Sequence, residues 1–515
     1  MQTLQSYVLG AWHTGTGEAR HLIDPTSCET IAEVPSGGID FAAVARHARE
    51  VGGPALRALS FAERGAKLKE LSAALHEHRE ELITLSTQNG GSTRGDAKFD
   101  IDGATGTLAA YAHYAKGLGD RPYLTDGDGA QLGRTGRFWG EHVLVSRPGV
   151  AVHVNAFNFP GWGMFEKAAC ALLAGVPVIE KPGTPTALIA WRMAQITIDS
   201  GILPEGSFQF VSGSLGDLFD HLGPMDCVAF TGSARTAAII RGHENIVRSN
   251  VRVNLEADSL NAAALSPDVE SSSETYGLFI SNVARDMTQK TGQKCTAVRR
   301  ILVPSERVEE VTADLVAELG RTAVGDPSDK TNRMGPLTDT AQLEDVRGGI
   351  GRLAARAKIA LGGADPIQET GCFVAPTLLV AEDPRDPAFH AEEVFGPVAT
   401  ILPYNGEAAE AVEIVNMGGG GLVTSVYAND ADWLYEYVVG VAPWHGRVWT
   451  ASDRVAEQTL PPGMVIPASI HGGPGRAGGG EELGAERGLE FYMQRVAIQG
   501  FKGFVQTRFG ADEKA

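Results

Sequence analysis

The stretch "TGQKCTAVRR", Thr291 to Arg300, holds a single thiol, Cys295, with Lys294 before it and Arg299 and Arg300 shortly after. Neighbouring cations and a loop setting favour thiolate, the nucleophilic form of cysteine, over thiol. Cys170 and Cys227 differ, because each lies in an apolar run of the kind that becomes core. Cys295 is therefore a candidate nucleophile, and a structural or incidental loop cysteine is the plainer reading of the same fact. The chain has five cysteines, Cys28 and Cys372 being the other two, and none forms a C-x-x-C pair. That argues against a disulfide framework or a structural zinc site and fits a reducing compartment. No run of residues has metal-ligand spacing, so no metal is expected.

A chain of 515 residues is too long for one core and must fold as several units. Its 43% hydrophobic and 21% charged residues are ordinary for a globular protein, and its 63 glycines suit the many tight turns of an α/β enzyme. The net charge of −19 opposes general binding to nucleic acid or anionic membranes, but leaves room for a local basic pocket that takes a phosphorylated ligand. The opening "MQTLQSYVLGAWHTGTG" lacks a basic segment followed by an apolar one, so no signal peptide is expected. The longest apolar run, around "AACALLAGVPVI" between Lys167 and Glu180, is too short to span a bilayer. The expectation is a soluble, cytoplasmic α/β protein.

The first 120 residues read as mostly helical, with a capping box from Ser60 to Glu63 opening one long helix. From Gly127 to Pro148 the pattern becomes extended and hairpin-like, either an arm that pairs with another subunit or a surface hairpin. Short Val/Ile-rich strands then alternate with helices: "GVAVHV" and "GMFEKAACALLAG", "VPVIEK" and "ALIAWRMAQITI", "DCVAF" and "ARTAAIIRGH". Such alternation predicts a parallel sheet covered by helices, with ligands bound where strands end and helix N-termini begin. "VRVNLEAD" is a further strand. Tyr276, Phe279, Ile280, Val283 and Met287 share one helix face. That helix should stop before Gly292, and "RILVP" reads as a strand, which puts Cys295 on the connection between them. The glycine-dense "HGGPGRAGGGEELGAERG", His471 to Gly488, reads as loop, and "LEFYMQRVAIQGF" as a final strand.

"NAFNFP", "FTGS", "LEAD", "GQKC", "EEVFGPV" and "GEELG" occur in an order and at spacings that resemble the aldehyde dehydrogenase superfamily, across essentially the whole chain. The resemblance implies an α/β fold with a Rossmann-like cofactor domain (residues 1–126 and 147–258), an α/β thiol domain (259–470) and a small β oligomerisation arm (127–146 and 485–515). It makes Cys295 the nucleophile, Asn158 the oxyanion donor together with the Cys295 backbone N–H, and Glu256 the base that activates water. Lys167 matches a lysine of the proton relay, and Glu482 an acidic residue on the water side. A turn-forming Asn158 and solvated Glu256 and Glu482 are the plainer readings of those residues alone.

On the cofactor side, Lys181 matches the lysine that bonds the adenosine ribose, and Phe157 stands in the "NAFNFP" loop where many relatives carry Trp. Gly232 and Ser233 match the helix start that meets the pyrophosphate; Glu393 and Phe395 match the residues that hold the nicotinamide ribose. Many NAD-preferring relatives place a Glu where this chain has Thr184. A carboxylate there repels a 2′-phosphate and a hydroxyl can donate to it, so NADP is expected over NAD; a helix-capping Thr184 is the plainer reading. Ala237 stands in place of a usual glycine. Asp258, Ser259 and Leu260 replace a Gly-Gly-Lys, which predicts a changed pocket wall beside the thiol. These departures resemble the dehydrogenase domains of bifunctional ring-opening enzymes of phenylacetate breakdown. They imply a semialdehyde tethered to coenzyme A as substrate, and a dimer or tetramer. Glu256 argues against a route in which coenzyme A rather than water cleaves the acyl-enzyme.

Overall fold

The alternation expected after residue 150 is realised as a sheet with parallel strands Arg252–Glu256, Cys227–Thr231, Ala151–Val154, Val178–Lys181 and Phe208–Phe210, in that spatial order, in a computed structural model describing residues 1–510. Residues 511–515, at the end of the expected bridging segment, lie outside the described residues. The strands are short and almost wholly buried, as strands covered on both faces must be. The chain enters at Ala151–Val154, builds outward to Phe208–Phe210, then returns to the other side of its first strand. Where the order reverses, the loops after Ala151–Val154 and Cys227–Thr231 diverge and leave a crevice, the usual ligand position of such sheets.

A second seven-stranded sheet holds Asn261–Leu265 and, beside it, Val298–Pro304. Cys295 precedes Val298 and so stands at the amino edge of this sheet, whereas Glu256 ends an edge strand of the first. Only residues 257–260 join the two sheets, and this short crossing brings carboxylate and thiol to face each other. The helix Glu274–Thr288 is capped by Ser273 and buries Tyr276, Phe279, Val283 and Met287. It gives way to a turn in which Lys290 (φ 52°) and Thr291 (φ 55°) are left-handed. Gly292 packs so closely on the next loop that a Cβ would lie 2.2 Å from the Gly396 carbonyl oxygen. The turn that presents Cys295 is thus fixed by contact on both sides.

The first 120 residues are mostly helical, as expected, but the helices begin only at Phe41; the elements within residues 2–37 are strands. Gln5–Val8 and Ala11–Thr14 form a hairpin that extends the first sheet, because Leu9 (φ 57°) and Gly10 (φ 77°) make the tight turn such a hairpin needs. The capping box at Ser60 and Glu63 is present. The glycine-dense tail is also more regular than a loop: Ile470–Gly473 pairs with Gly480–Leu483, and glycines are required because a Cβ on Gly472 would lie 2.1 Å from the Gly480 carbonyl oxygen. "LEFY" begins in a short helix, Arg487–Glu490, so the final strand is Met493–Phe501, and an unexpected helix, Lys502–Phe509, follows it. The final strand pairs antiparallel with Phe138–Ser146, completing a four-stranded arm.

Candidate active site

Between the two sheets lies a cavity of about 40 Å³, lined by Phe99, Asn158, Phe159, Trp162, Glu166, Thr231, Glu256, Cys295, Thr296 and His471, among others. That is room for a water or a carbonyl group and little more. The helix Arg94–Leu118 supplies Phe99, whose ring packs edge-on against Phe159 and Trp162, making one wall apolar. The opposite wall is polar. His471 Nε2 stands 2.9 Å from Glu256 Oε2 and 3.7 Å from Cys295 Sγ. The glycine-rich hairpin carries His471 here, and His471 is 2% exposed.

The electrostatics follow from that geometry. Burial alone would raise the Glu256 carboxyl, but His471, and after it Lys167, outweigh burial and hold it well below the usual carboxylate range. Burial alone would lower the His471 imidazolium, but Glu256 holds it above its ordinary value. Carboxylate and imidazolium thus each favour the other's charged form. Burial, then Glu256, Glu166 and Glu393, push the Cys295 thiol well above its ordinary value. The contact of His471 with Glu256 is one of charge, since both carboxylate oxygens and His471 Nδ1 lack hydrogen-bond partners among the described residues. Buried polar atoms are normally paired, so these are equipped to meet a polar guest.

The cations flanking Cys295 in sequence do not reach it. Lys294, 1% exposed, turns inward, its Nζ 2.8 Å from Asp286 Oδ1 and 2.9 Å from Gln289 Oε1. Arg299 pairs with Glu393 at 3.1 Å, and Arg300 donates to the carbonyls of Leu260, Ile414 and Val415. The run is polar yet buried, each cation held by its own partners, so the expected activation by neighbouring cations is overturned. Sequence reading missed His471, 176 positions away, because only the hairpin's closure brings it to the thiol. It also missed Glu166, which lines the cavity and is raised to about 7 chiefly by burial. Lys167 lies between Glu166 (3.3 Å) and Glu482 (3.2 Å), and Asn254 donates to Glu482 at 3.4 Å. Spacing in the sequence gave no ligand cluster, but folding gathers Glu256, Cys295 and His471 with ligand atoms within 4.8 Å of one another.

In the crevice of the first sheet, Lys181 Nζ contacts the Pro182 carbonyl (2.6 Å) and Thr184 Oγ1 (3.3 Å). Thr184 opens a single helical turn without capping it; Thr186 instead donates to the Phe157 carbonyl at 2.7 Å. Ser233 caps the helix Ala234–Arg241, whose first N–H, that of Ala234, also donates to Asp258. Phe157 and Phe395 meet edge-on with centroids 5.8 Å apart. Asp258, Ser259 and Leu260 are not in the thiol cavity: Ser259 N donates to Glu393, and Leu260 O accepts from Arg300. The changed wall expected from them is therefore not part of this cavity; Ser259 and Leu260 bond Glu393 and Arg300 instead.

The profile of the Aldehyde dehydrogenase family matches residues 12–498. The chain belongs to the aldehyde dehydrogenase family. One relative, 3,4-dehydroadipyl-CoA semialdehyde dehydrogenase of Aromatoleum evansii, is 44% identical over 479 residues, covering 92% of this chain and 93% of its own length. Lactaldehyde dehydrogenase from Escherichia coli superposes with a TM-score of 0.85 at 24% identity, covering 96% of this chain and 99% of that one. An NAD+ complex of an aldehyde dehydrogenase from Bacillus cereus gives 0.84 at 23%, covering 97% of each chain. This aldehyde dehydrogenase is an oxidoreductase with that fold, which binds NAD or NADP. Its crevice fits the group: burial, then the charge of Arg20, lower Lys181 to about 8, two cations without an acidic partner among the described residues and so suited to an anion, and Thr231, between crevice and thiol cavity, has a buried Oγ1 with no partner among the described residues. Arg20 is exposed on the strand Thr16–Ile23, which packs on the turn at Thr184, so its charge is felt at Lys181; it too was missed by sequence reading. Among the described residues no helix is long and apolar enough to cross a membrane.

Proposed function

We propose that this aldehyde dehydrogenase oxidises a coenzyme A-linked semialdehyde, 3,4-dehydroadipyl-CoA semialdehyde or a near analogue, to the free acid, with NADP preferred. The observation that carries the chemistry is one cavity holding Cys295, a carboxylate beside it and Asn158. Glu256, kept ionised by His471, takes the thiol proton as sulfur bonds to the aldehyde carbon. The side-chain amide of Asn158 and the backbone N–H of Cys295 hold the oxygen that becomes negative, a contribution of about 3 kcal/mol to the transition state. A nicotinamide dinucleotide bound by Lys181, Thr184, Gly232, Ser233, Glu393, Phe395 and Phe157 supplies the hydride acceptor. A thioester then remains on Cys295. Glu256 first passes its proton to Glu166, which the Lys167 ammonium holds beside Glu482, and then takes one from water; the hydroxide adds to the thioester carbon, the sulfur leaves as thiolate, and Glu256 returns its proton to it as the acid is released. His471 acts here as a positioning residue.

NADP preference rests on charge. Thr184 brings no carboxylate to Lys181, and the charge of Arg20 acts on Lys181 with no acid among the described residues to offset it. The substrate reading rests on the relative named above, whose sequence aligns almost end to end with this chain. A second copy would cover the arm, where Phe138, Val496, Phe501 and Phe504 are exposed, giving at least a dimer. The cysteines unpaired among the described residues suit work in a reducing cytoplasm. The test is turnover of CoA-linked and free semialdehydes with each dinucleotide, with product analysis. A free carboxylate formed without added coenzyme A, faster with NADP, is the expected result; a CoA thioester formed only when coenzyme A is added would overturn the hydrolytic route.

A further inference from the structure

A solvent-facing cleft of about 800 Å³ opens where the amino end of the helix Arg94–Leu118, the carboxyl end of Glu274–Thr288 and the loop 327–333 meet. Its lining includes Lys98, Arg285, Lys330 and Arg333, all exposed. No hydrogen bond or ion pair joins these side chains to other described residues. Arg94, also in the lining, is already neutralised by Glu80 at 2.7 Å. The carboxylates present do not balance the cations. Asp96 is buried and takes the Thr93 hydroxyl, and Asp329 takes the backbone N–H and hydroxyl of Thr331. In a chain of net charge −19, this concentration of free positive charge in one concave surface is out of keeping with the rest of the molecule.

The cleft and the thiol cavity are walled by neighbouring residues of one helix. Lys98 faces the cleft, and Phe99, the next residue of the same helix, lines the cavity. Gln289 lines the cleft and accepts from Lys294, the residue before Cys295, at 2.9 Å. A ligand in the cleft is thus one helix residue and one turn away from the nucleophile. The cavity, at about 40 Å³, admits the reacting end of a substrate but nothing as large as a nucleotide. Any bulky carrier attached to the aldehyde must stay outside, beside these walls.

We propose that this cleft binds the phosphorylated nucleotide end of coenzyme A, with Lys98, Arg285, Lys330 and Arg333 on its phosphates, while the acyl chain runs past Phe99 to Cys295. The assignment rests on the CoA-linked reading of the substrate. Guanidinium forks and ammonium groups suit phosphate oxygens, and their lack of other partners means no existing ion pair is broken on binding. The cleft therefore serves recognition and takes no part in bond making.

The test compares two thioesters of one semialdehyde, the coenzyme A thioester and the pantetheine thioester, which lacks the nucleotide and its phosphates. Wild type should favour the CoA thioester by roughly tenfold in kcat/KM. Arg285→Glu combined with Arg333→Glu should remove that preference through KM, with kcat unchanged, and leave the pantetheine thioester within about twofold of wild type. Because the pantetheine thioester uses the same thiol, its unchanged turnover also reports an intact fold. If wild type prefers the CoA thioester and the double variant keeps that preference, the cleft assignment falls and the substrate reading stands. If wild type oxidises both thioesters equally, the nucleotide has no site and the assignment falls as well. If wild type oxidises neither, while free aldehydes are turned over, the substrate reading itself is wrong.

Discussion

The thiol cavity and the basic cleft lie on two sides of one helix and treat charge in opposite ways. Around Cys295 the charged side chains are buried and opposed: Glu256 by His471, Lys294 by Asp286, Arg299 by Glu393, Lys167 by Glu166 and Glu482. In the cleft Lys98, Arg285, Lys330 and Arg333 are exposed and make no ion pair among the described residues. Taking a charge out of water is costly unless a partner compensates it, so a buried site can keep only balanced groups and must do its chemistry by moving protons among them. An exposed site keeps unbalanced charge at little cost and can use it to attract a ligand, although salt screens that attraction. The comparison separates groups that react from groups that recognise.

Removing the reacting sulfur gives the largest effect. Cys295→Ser should lower turnover by on the order of 10³-fold or more while dinucleotide binding, read by fluorescence titration, is unchanged. Glu256→Gln should slow steady turnover by on the order of 10²-fold and leave a slower first burst of reduced dinucleotide, because the variant lacks the base for the thiol as well as for water. A burst at the wild-type rate would remove Glu256 from thiol activation. Lys294 offers a sharper contrast, because its sequence position suggests activation and its structural position suggests a buried ion pair. Asp286→Ala leaves that lysine unpaired and should cost about 3 kcal/mol in chemical denaturation. A stability change within experimental error would mean the cation is free to act elsewhere. Thr184→Glu should move the NADP to NAD ratio of kcat/KM roughly tenfold towards NAD; an unchanged ratio would assign selection to other residues.

The smallest effect concerns pH. Glu256 is lowered in the folded chain, so its stabilising contribution is present above the ordinary glutamate value near ~4.3 and fades as acid carries the pH through the folded value. His471 is raised, so its contribution is complete below ~6.5 and fades as the pH rises through the folded value. The difference in melting temperature between wild type and His471→Asn should therefore be largest between about pH 4.5 and 6.5. A difference that grows steadily above pH 8 would contradict the ion pair.

The sheet alternation was legible because buried parallel strands write themselves as short Val/Ile runs, and the helix Glu274–Thr288 because one face is apolar. Cys295 was legible for a reason the structure rejects: the adjacent cations that drew attention to it point away from it. Asn158, Glu256, Lys167 and Glu482 were recognisable only through resemblance, since local sequence gives a turn asparagine and solvated carboxylates no special mark. His471, Glu166 and Arg20 were not legible, because each acts across long sequence separations set by sheet pairing. The strands of the first 37 residues were passed over within a stretch that is otherwise mostly helical, because polar, partly exposed hairpins leave little apolar alternation to read.

The central claim is that a covalent intermediate forms on Cys295 and is released by water that Glu256 activates. Rapid quenching of Glu256→Gln with substrate and dinucleotide, followed by peptide mass spectrometry, tests it directly. The account predicts the acyl mass on the peptide that contains Cys295, accumulating in the variant and scarcely detectable in wild type. An adduct on another side chain, or none while reduced dinucleotide accumulates, would contradict it.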